Sequence, residues 1–299
     1  MDSLALGKPW YVMEHGTPAV QWKPLNTRKR GGELLRDSLA HVAMGADAIN
    51  FFQWRQSRSG AEAFHSAMVP HAGEDTKVLR GVCELGETLA ALSDAGLQGT
   101  ELKRSGTAIL FSAESEWATR SETLPSMKLD HWHDVRDWYR GLLDAGVRAD
   151  VTPLAYDWSG YATIVLPSVL ILSDEDVRRI ADFTASGGRA VVRHPYGDGE
   201  AVYVGCDLDR QGVAALAPAI GFDADANPRV IHTVRASADG VMRFDFYLNR
   251  TRDTVELDDV AGEPIVMRRT EFVPSGADGD GAAYALRRNA ILVTRAVER

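Results

Sequence analysis

Pro9–His15 (PWYVMEH) is a short apolar run that ends on a carboxylate and an imidazole, and it is the best guide to the fold. The pattern predicts a polar helix next, and then a second apolar run at Asn50–Arg55 (NFFQWR). This order is typical of two buried parallel strands joined by a helix. In a parallel α/β barrel the carboxyl ends of the strands carry the chemistry, so Glu14 is a candidate catalytic carboxylate with Trp22 nearby. A barrel needs eight such units, so two of them form only part of one.

The overall composition is that of an ordinary globular protein. The chain has 299 residues, of which 45% are hydrophobic and 25% charged, and its net charge is -9. This acidic balance argues against nucleic acid or a membrane surface as a partner, because both attract clustered Lys and Arg. The basic run 28–30 is expected on the solvated start of a helix. Two distant cysteines, Cys83 and Cys206, predict buried free thiols, and with no signal peptide visible at the start they favour a cytoplasmic location.

The spacing of apolar residues predicts the order of the secondary structure. Helices are expected over 29–45 and 75–95, and a break in the pattern follows at 96–106. A new βα alternation then predicts a doubly wound, flavodoxin-like parallel sheet. Its expected strands are 107–111, 149–154, 162–167 and 189–192, and its expected helices are 131–145 and 174–186, the second capped by Ser173. After about residue 225, short runs separated by turns predict an all-β module.

Three motifs in the opening resemble one known family. Met13–His15 with Trp22, then Phe51–Arg55, then Gly60–Met68 (GAEAFHSAM) with Pro70-His71 are similar to glycoside hydrolase family 42 β-galactosidases, especially the actinobacterial members. The resemblance covers residues 8–95 specifically and the rest in outline. It implies three domains: residues 1–104 as the last two βα units of a TIM barrel, 105–225 as a shortened trimerisation domain resembling class I glutamine amidotransferases, and 226–299 as a small antiparallel β-sandwich.

The same resemblance implies an activity and its residues. The family hydrolyses terminal non-reducing β-D-galactosyl groups with retention, and the motif makes Glu14 the nucleophile. Trp22 is similar to the tryptophan that lines the galactose pocket. Glu62 and His65 look like the pair that binds galactose hydroxyls, and Trp54 matches the aromatic residue that closes the last strand. No cofactor is implied, and the partners expected are a β-galactoside and two further copies in a homotrimer.

This chain departs from the family pattern in two places. The first six βα units are absent, and with them the acid/base glutamate at the end of the fourth strand. Arg189–Val192 also runs directly into Arg193–Gly199, where a long stretch of the second domain is expected. Retaining hydrolysis needs two carboxyl groups about 5–5.5 Å apart. We therefore expect the isolated chain to be a weak or inactive enzyme.

Other interpretations of the same residues stay open. Without the motif, Glu14 is a strand-end carboxylate, Glu62 is a charge at the start of a helical turn, and the tryptophans are packing residues. A Glu62–His65 metal pair, even with His71 added, is a poor match to a zinc site. Glutaminase chemistry lacks a cysteine at a strand-to-helix turn. The competing functions are a non-catalytic trimerisation module and the C-terminal half of a split enzyme, and the all-β tail is expected to be dispensable for chemistry.

Overall fold

The computed structural model describes residues 1–22, 24–121, 124, 126, 128–190, 193–196, 199–224, 226–273 and 282–297. The chain forms two compact units. The first combines residues 1–103 with 229–299, and the second comprises residues 104–228. The barrel-like opening and the all-β tail, which the sequence suggested as separate domains, thus fold into one unit.

The elements follow one another along the chain in three segments. Before residue 104 they are α1 (Asp2–Ala5), β1 (Tyr11–Gly16), α2 (Glu33–Ala43), β2 (Ala48–Phe52), α3 (Lys77–Asp94) and β3 (Glu101–Leu102). The middle segment holds β4 (Thr107–Phe111), α4 (Ala113–Thr119), α5 (His131–Asp144), β5 (Asp150–Pro153), β6 (Thr163–Val165), α6 (Asp174–Ala185), β7 (Arg189–Ala190), β8 (Arg193–Tyr196), β9 (Gly199–Val202) and α7 (Arg210–Leu216). The last segment holds β10 (Val230–Ala236), β11 (Met242–Asn249), β12 (Val255–Val260), β13 (Glu263–Val273) and β14 (Ala282–Val297).

Strands β1 and β2 form a two-stranded parallel sheet. The prediction that β1 is buried is wrong, because Tyr11 is 56% exposed and Met13 is 75% exposed. The physical reason is the pairing. Among the described residues β1 has only β2 as a neighbour, so one face and the outer edges of this small sheet stay open to solvent.

The tail forms a second, antiparallel sheet in the order β12-β14-β11-β10-β3, with β13 also paired to β14. Its long strand β14 pairs with β12 through its first half and with β11 through its second half. One cluster of buried residues on these strands, including Tyr284, Leu286 and Leu292, packs within the sheet module itself. The antiparallel prediction for this segment is confirmed.

The other face of the antiparallel sheet packs on helices α2 and α3. A single buried cluster contains Leu39 and Val42 of α2, Leu92 of α3, and Phe244 and Phe246 of β11. The side chains of Thr233 and Arg235 on β10 donate hydrogen bonds across the same contact, to the carbonyls of Ala43 and Val42. The tail strands supply six of the thirteen buried residues in this cluster, so the core of the first unit depends on them.

Residues 104–228 fold around a sheet in the order β5-β4-β6-β7-β9-β8, parallel except for β8. Alternate residues of β4 enter different cores, with Ile109 packing beside α5 and α7 and Leu110 beside α6. The sheet is thus covered on both faces, as a doubly wound fold requires. Of the strand predicted over 189–192, β7 covers Arg189–Ala190, and residues 191–192 lie outside the described residues.

Local signals in this segment are confirmed at the level of single residues. Ser173 and Asp176 form a capping box at the start of α6, each accepting a hydrogen bond from the other's backbone. Gly141 on α5 allows a close crossing, since a Cβ there would lie 2.5 Å from Val213 of α7. Within the described ranges, no helix has the length and apolar character that crossing a membrane requires.

The prediction that both cysteines are buried is wrong. Cys83 and Cys206 are free thiols and both are exposed. On α3 the buried positions are Leu85, Thr88 and Leu92, and Cys83 lies on a different face of the helix. Neighbouring apolar residues in the sequence do not bury a helical residue unless they share its face.

Candidate functional site

Glu14 lies in a β-bulge of strand β1. The register passes from Val12 opposite Ile49 to His15 opposite Phe51, so Met13 and Glu14 together face the single residue Asn50. Because of the extra residue, Val12 and His15 are partly buried while Met13 and Glu14 are both exposed. The bulge thereby turns Glu14 to the open face of the small sheet. Within the described residues its carboxylate has no hydrogen-bond or ion-pair partner.

His15, the next residue, occupies the helix-covered face. Its ring lies 5.4 Å from that of His41 on α2 and 5.5 Å from that of Phe51 on β2. Lys29 lies 3.3 Å from its Nε2 and donates to the carbonyl of Gly16. Burial, and then the charge of Lys29, lowers the pKa of His15 to about 4. The imidazole is therefore neutral near pH 7 and serves packing, not proton transfer to Glu14.

His65 lies on the open face, beside the carboxyl end of β2. Its ring centroid is 5.0 Å from that of Phe52 and 5.6 Å from that of Trp22. His65 is 1% exposed, and neither ring nitrogen has a hydrogen-bond partner. Buried polar atoms without partners are uncommon in folded proteins, so these nitrogens are suited to hydrogen bonds from a bound molecule.

Two loops that carry predicted site residues are tied together. Gln21 donates to the carbonyl of Ala61 and accepts from the backbone N–H of Phe64, and Asn26 donates to the carbonyl of Phe64. The hydroxyls of Thr17 and Ser66 are 3.0 Å apart. These contacts fix the loop of Trp22 against the loop of His65. Sequence reasoning missed these tethering residues, because nothing in their spacing marks two distant loops as neighbours.

Glu62 and Trp54 stand at the rim of this region. Glu62 is half-buried in a turn where its carbonyl accepts from the His65 backbone N–H at 3.0 Å. Trp54 is 69% exposed, and its carbonyl accepts from Val69. Trp22 is 61% exposed. The structure thus brings Trp22 and His65 into ring contact, and it leaves Trp54 as an open aromatic surface.

The metal alternative gains no support from the geometry. Across the described ranges, no group of three or more His, Cys, Asp or Glu side chains is placed to hold a metal ion. His71 is engaged elsewhere, with its Nε2 2.7 Å from the carbonyl oxygen of Ser57. A cavity of about 550 Å³ does lie behind these loops, lined by Asn26, Gln56, Ser66 and others, but none of the predicted site residues lines it.

In the described residues of the second unit, the histidine and cysteine side chains are not arranged as a nucleophile with its base. His131 is buried and held by Ser112 and Pro167, and burial lowers its pKa. Ser168 donates to Asp134, whose pKa burial raises. Cys206 lines a nearby cavity of about 510 Å³, but α7 does not begin until Arg210, so no tight strand-to-helix turn presents its thiol.

Comparison with protein families decides the lineage. Residues 1–92 match the family model described as β-galactosidase, and residues 105–192 match the β-galactosidase trimerisation domain. The chain belongs to glycoside hydrolase family 42. The resemblance inferred from the motifs is thereby confirmed.

Curated relatives agree with this assignment. β-Galactosidase BbgII of Bifidobacterium bifidum is 38% identical over 360 positions, covering 89% of this chain and 52% of its own length. A β-galactosidase of Arthrobacter is 42% identical over 191 positions, covering 64% of this chain and 27% of its own length. The chain thus spans about half the length of BbgII.

Solved structures share the fold. The β-galactosidase of Rahnella sp. R3 superposes with a TM-score of 0.82 at 23% identity, covering 100% of this chain and 56% of that one. The β-galactosidase of Bacillus circulans gives 0.82 at 19% identity, covering 97% and 55%. These likenesses support the α/β architecture with its parallel and antiparallel sheets.

The alignment with BbgII also bears on the expected internal gap. It spans 360 positions, of which this chain fills about 266 (89% of 299), so about 94 positions have no residue here. The trimerisation-domain match ends at residue 192, the position where the sequence suggested a missing stretch.

Proposed function

We propose that this chain carries the nucleophile and part of the galactose pocket of a retaining β-galactosidase. Its substrate class is a terminal non-reducing β-D-galactosyl group. The Glu14 carboxylate attacks the anomeric carbon as the glycosidic C–O bond breaks and the aglycone leaves on its oxygen, which takes a proton from a general acid or from water; water then hydrolyses the galactosyl-enzyme ester and frees Glu14 and galactose. The observation that carries the proposal is the bulge in β1, which turns the unpartnered Glu14 carboxylate to the same open face on which Phe52 meets His65.

The remaining predicted residues bind the sugar. The free ring nitrogens of His65 are available to galactose hydroxyls, and Glu62 in the adjoining turn offers a carboxylate to another hydroxyl. Trp22 packs beside His65 and presents an exposed indole to the apolar face of the ring. Trp54 extends this aromatic surface. The loop tethers through Gln21 keep these groups in place before the sugar binds.

The same reasoning makes the isolated chain a poor catalyst. Retaining hydrolysis uses a second carboxyl group as acid and then base, worth typically 10²–10⁴-fold in rate. Glu62 is assigned to hydroxyl binding, and the family's acid/base residue belongs to a strand this sequence does not include. Leaving groups that need no protonation should therefore be cleaved far better than alkyl galactosides.

The test is covalent trapping with a dinitrophenyl 2-deoxy-2-fluoro-β-galactoside, whose leaving group departs without an acid. We expect a galactosyl adduct on the peptide containing Glu14. It should be absent in Glu14→Gln and unchanged in Glu87→Gln, a matched exposed glutamate on α3. An adduct on any other residue, or none on the wild-type chain, would refute the assignment of Glu14.

A second candidate is that the chain is the C-terminal half of a split enzyme. The favouring observation is the open edges of the β1–β2 sheet, because unpaired parallel strands are templates for further strands. We expect turnover to rise when a polypeptide carrying the first six βα units of a relative is added. Unchanged turnover, with the chain still self-associated, would instead favour a non-catalytic assembly module.

We also propose that the chain forms a homotrimer through residues 105–192. The support is the match of those residues to the trimerisation domain of the family. Native mass in solution tests this independently of activity.

A further inference from the structure

The basic run that precedes α2 does not face solvent as a unit. Arg28 and Arg30 are exposed, whereas the side chain of Lys29 between them is only 22% exposed. The ammonium of Lys29 donates to the carbonyl of Gly16, the last residue of β1, at 2.7 Å. The backbone N–H of Lys29 also donates to the carbonyl of Pro18. This lysine is thus bonded twice to the chain at the end of the strand that carries the proposed nucleophile.

Three acceptor groups surround the ammonium. Besides the carbonyl of Gly16, they are Nε2 of His15 at 3.3 Å and a carboxylate oxygen of Asp37 at 3.9 Å. An ammonium group has three N–H donors and no acceptor, so this set suits a partly buried lysine. Because the ammonium can only donate, Nε2 of His15 must be the unprotonated ring nitrogen, which agrees with the pKa of about 4 for that ring.

The carboxylate partner of the lysine is itself fixed. Lys29 contacts Oδ2 of Asp37, and Arg36 donates to its Oδ1 through Nε at 3.0 Å and Nη2 at 2.7 Å. A third nitrogen of Arg36 donates to Oδ1 of Asn289 on β14 at 2.6 Å. Polar contacts therefore run from β14 through α2 to the end of β1, and Lys29 is anchored to the framework of the first unit.

The residues that the lysine holds are the two that follow Glu14. In the bulge, Met13 and Glu14 share one opposite residue on β2, so regular strand pairing is interrupted at Glu14. The contacts of Lys29 restrain His15 and Gly16, immediately after the interruption. Displacing a reacting group by about 1 Å can lower a rate about 100-fold, so restraint at this point matters for the covalent step.

We infer that Lys29 is a positioning residue for the proposed nucleophile, and that its ammonium holds His15 and Gly16 so that the Glu14 carboxylate stays directed to the open face. The inference rests on the proposed function of Glu14 and adds a residue that the family motifs did not single out. The acceptors of the ammonium lie on β1 and α2, not on the loops assigned to sugar binding. Loss of the ammonium should therefore slow the covalent step without weakening sugar binding.

The test uses the full 299-residue chain and the dinitrophenyl 2-deoxy-2-fluoro-β-galactoside. Lys29→Met keeps an unbranched side chain and removes its charge and donors. We expect the maximal rate of adduct formation on Glu14 to fall about 10–100-fold, with the reagent concentration for half-maximal rate within about twofold of the wild type. Lys29→Arg should react faster than Lys29→Met, because it keeps a cation with N–H donors.

A matched control and a second readout separate positioning from general damage. Arg30→Met removes one positive charge from the neighbouring exposed position and should react like the wild type. NMR titration of the His15 ring needs no turnover. In Lys29→Met the ring should titrate at a higher pH, because the lysine charge lowers its pKa, while the other groups that act on it, His41 and Asp37, are unchanged. Circular dichroism checks that each variant is folded.

The outcomes distinguish the inference from the proposed function. The absence of a Glu14 adduct on the wild-type chain overturns the proposed function, and the inference with it. An adduct that forms in Lys29→Met at the wild-type rate overturns the inference alone, as does an equal loss in Arg30→Met or an unchanged titration of His15. If Lys29→Met does not fold, Asp37→Asn carries the test, because it leaves the lysine in place and removes its ionic partner. Adduct formation should then be slower, and a wild-type rate would overturn the inference.

Discussion

Leu39→Ala tests whether the opening helices and the tail strands fold as one body. Leu39 on α2 is 0% exposed and belongs to the cluster that includes Phe246 of β11, also 0% exposed. Truncating a buried leucine costs about 2–5 kcal/mol, the transfer of the lost methyl groups plus the cavity they leave. We therefore expect the free energy of unfolding of the first unit, residues 1–103 with 229–299, to fall by about 3 kcal/mol.

Native-state hydrogen exchange gives the sharpest measurement. A loss of about 3 kcal/mol corresponds to roughly a 150-fold faster exchange for amides that open only by unfolding of the whole unit. The effect should be equal in α2 and in β11, although they are some 200 residues apart in sequence. Leu142→Ala is the matched control, since Leu142 is 0% exposed in the core of the other unit.

Two results would refute the reasoning. If Leu39→Ala accelerates exchange in α2 and leaves β11 within twofold of the wild type, the helices and the sheet are independent domains. If Leu142→Ala lowers protection in β11 as much as Leu39→Ala does, the two units unfold together and the boundary at residue 104 has no energetic meaning.

Three further changes probe other parts of the structure. His15 has a pKa of about 4 in the folded chain and an ordinary value of 6.5, so its contribution to the free energy of unfolding is complete above pH 6.5 and is lost as the pH falls towards 4. After allowance for its half exposure, His15→Phe should remove about 1 kcal/mol of the pH dependence of the free energy of urea unfolding in that window, and an unchanged pH dependence would contradict this. Arg235 is 3% exposed and donates to the carbonyls of Val42, Ala46 and Thr100. Arg235→Met should therefore lower the free energy of urea unfolding by about 2–4 kcal/mol. A loss below about 1 kcal/mol would mean that those carbonyls find other donors. Ser173→Ala removes the capping box of α6 and should cost about 1 kcal/mol, seen as a lower melting temperature of residues 104–228 that Ser159→Ala does not reproduce.

The sequence predicted the second unit well because its signals are local. The strand expected at 107–111 is β4 to the residue, and the N-cap at Ser173 is present. The antiparallel pairing of the tail was predicted correctly, but the length of its strands was not. Short runs separated by turns were expected there, whereas β14 is one strand that runs over Ala282–Val297. Asn289 adopts a positive φ of 59° in its middle, and the polar residues around that bend hide the continuity of the strand from any apolar pattern.

Contacts between distant segments were beyond the reach of the sequence. The hydroxyl of Thr233 donates to the carbonyl of Ala43 at 2.9 Å, although the two residues are 190 positions apart. The spacing of residues along the sequence does not predict such a contact. The same holds for the bond between Gln21 and Phe64, which sets the loop of Trp22 against that of His65. The motif supplied the candidate site residues, and the fold shows which contacts hold their loops together.

The bulge in β1 explains why Glu14 and His15, adjacent in sequence, have opposite roles. In a regular strand, alternation would place Val12 and Glu14 on one face and Met13 and His15 on the other. The extra residue breaks that alternation, so Val12 and His15 share the helix-covered face while Glu14 turns to the open one. A one-residue deletion of Met13 would remove the bulge without moving Glu14, because Val12, Glu14 and His15 would then face Ile49, Asn50 and Phe51 in regular alternation. With Met13 in the chain, the bulge is what lets His15 pack against α2 while Glu14, the proposed nucleophile, stays on the open face.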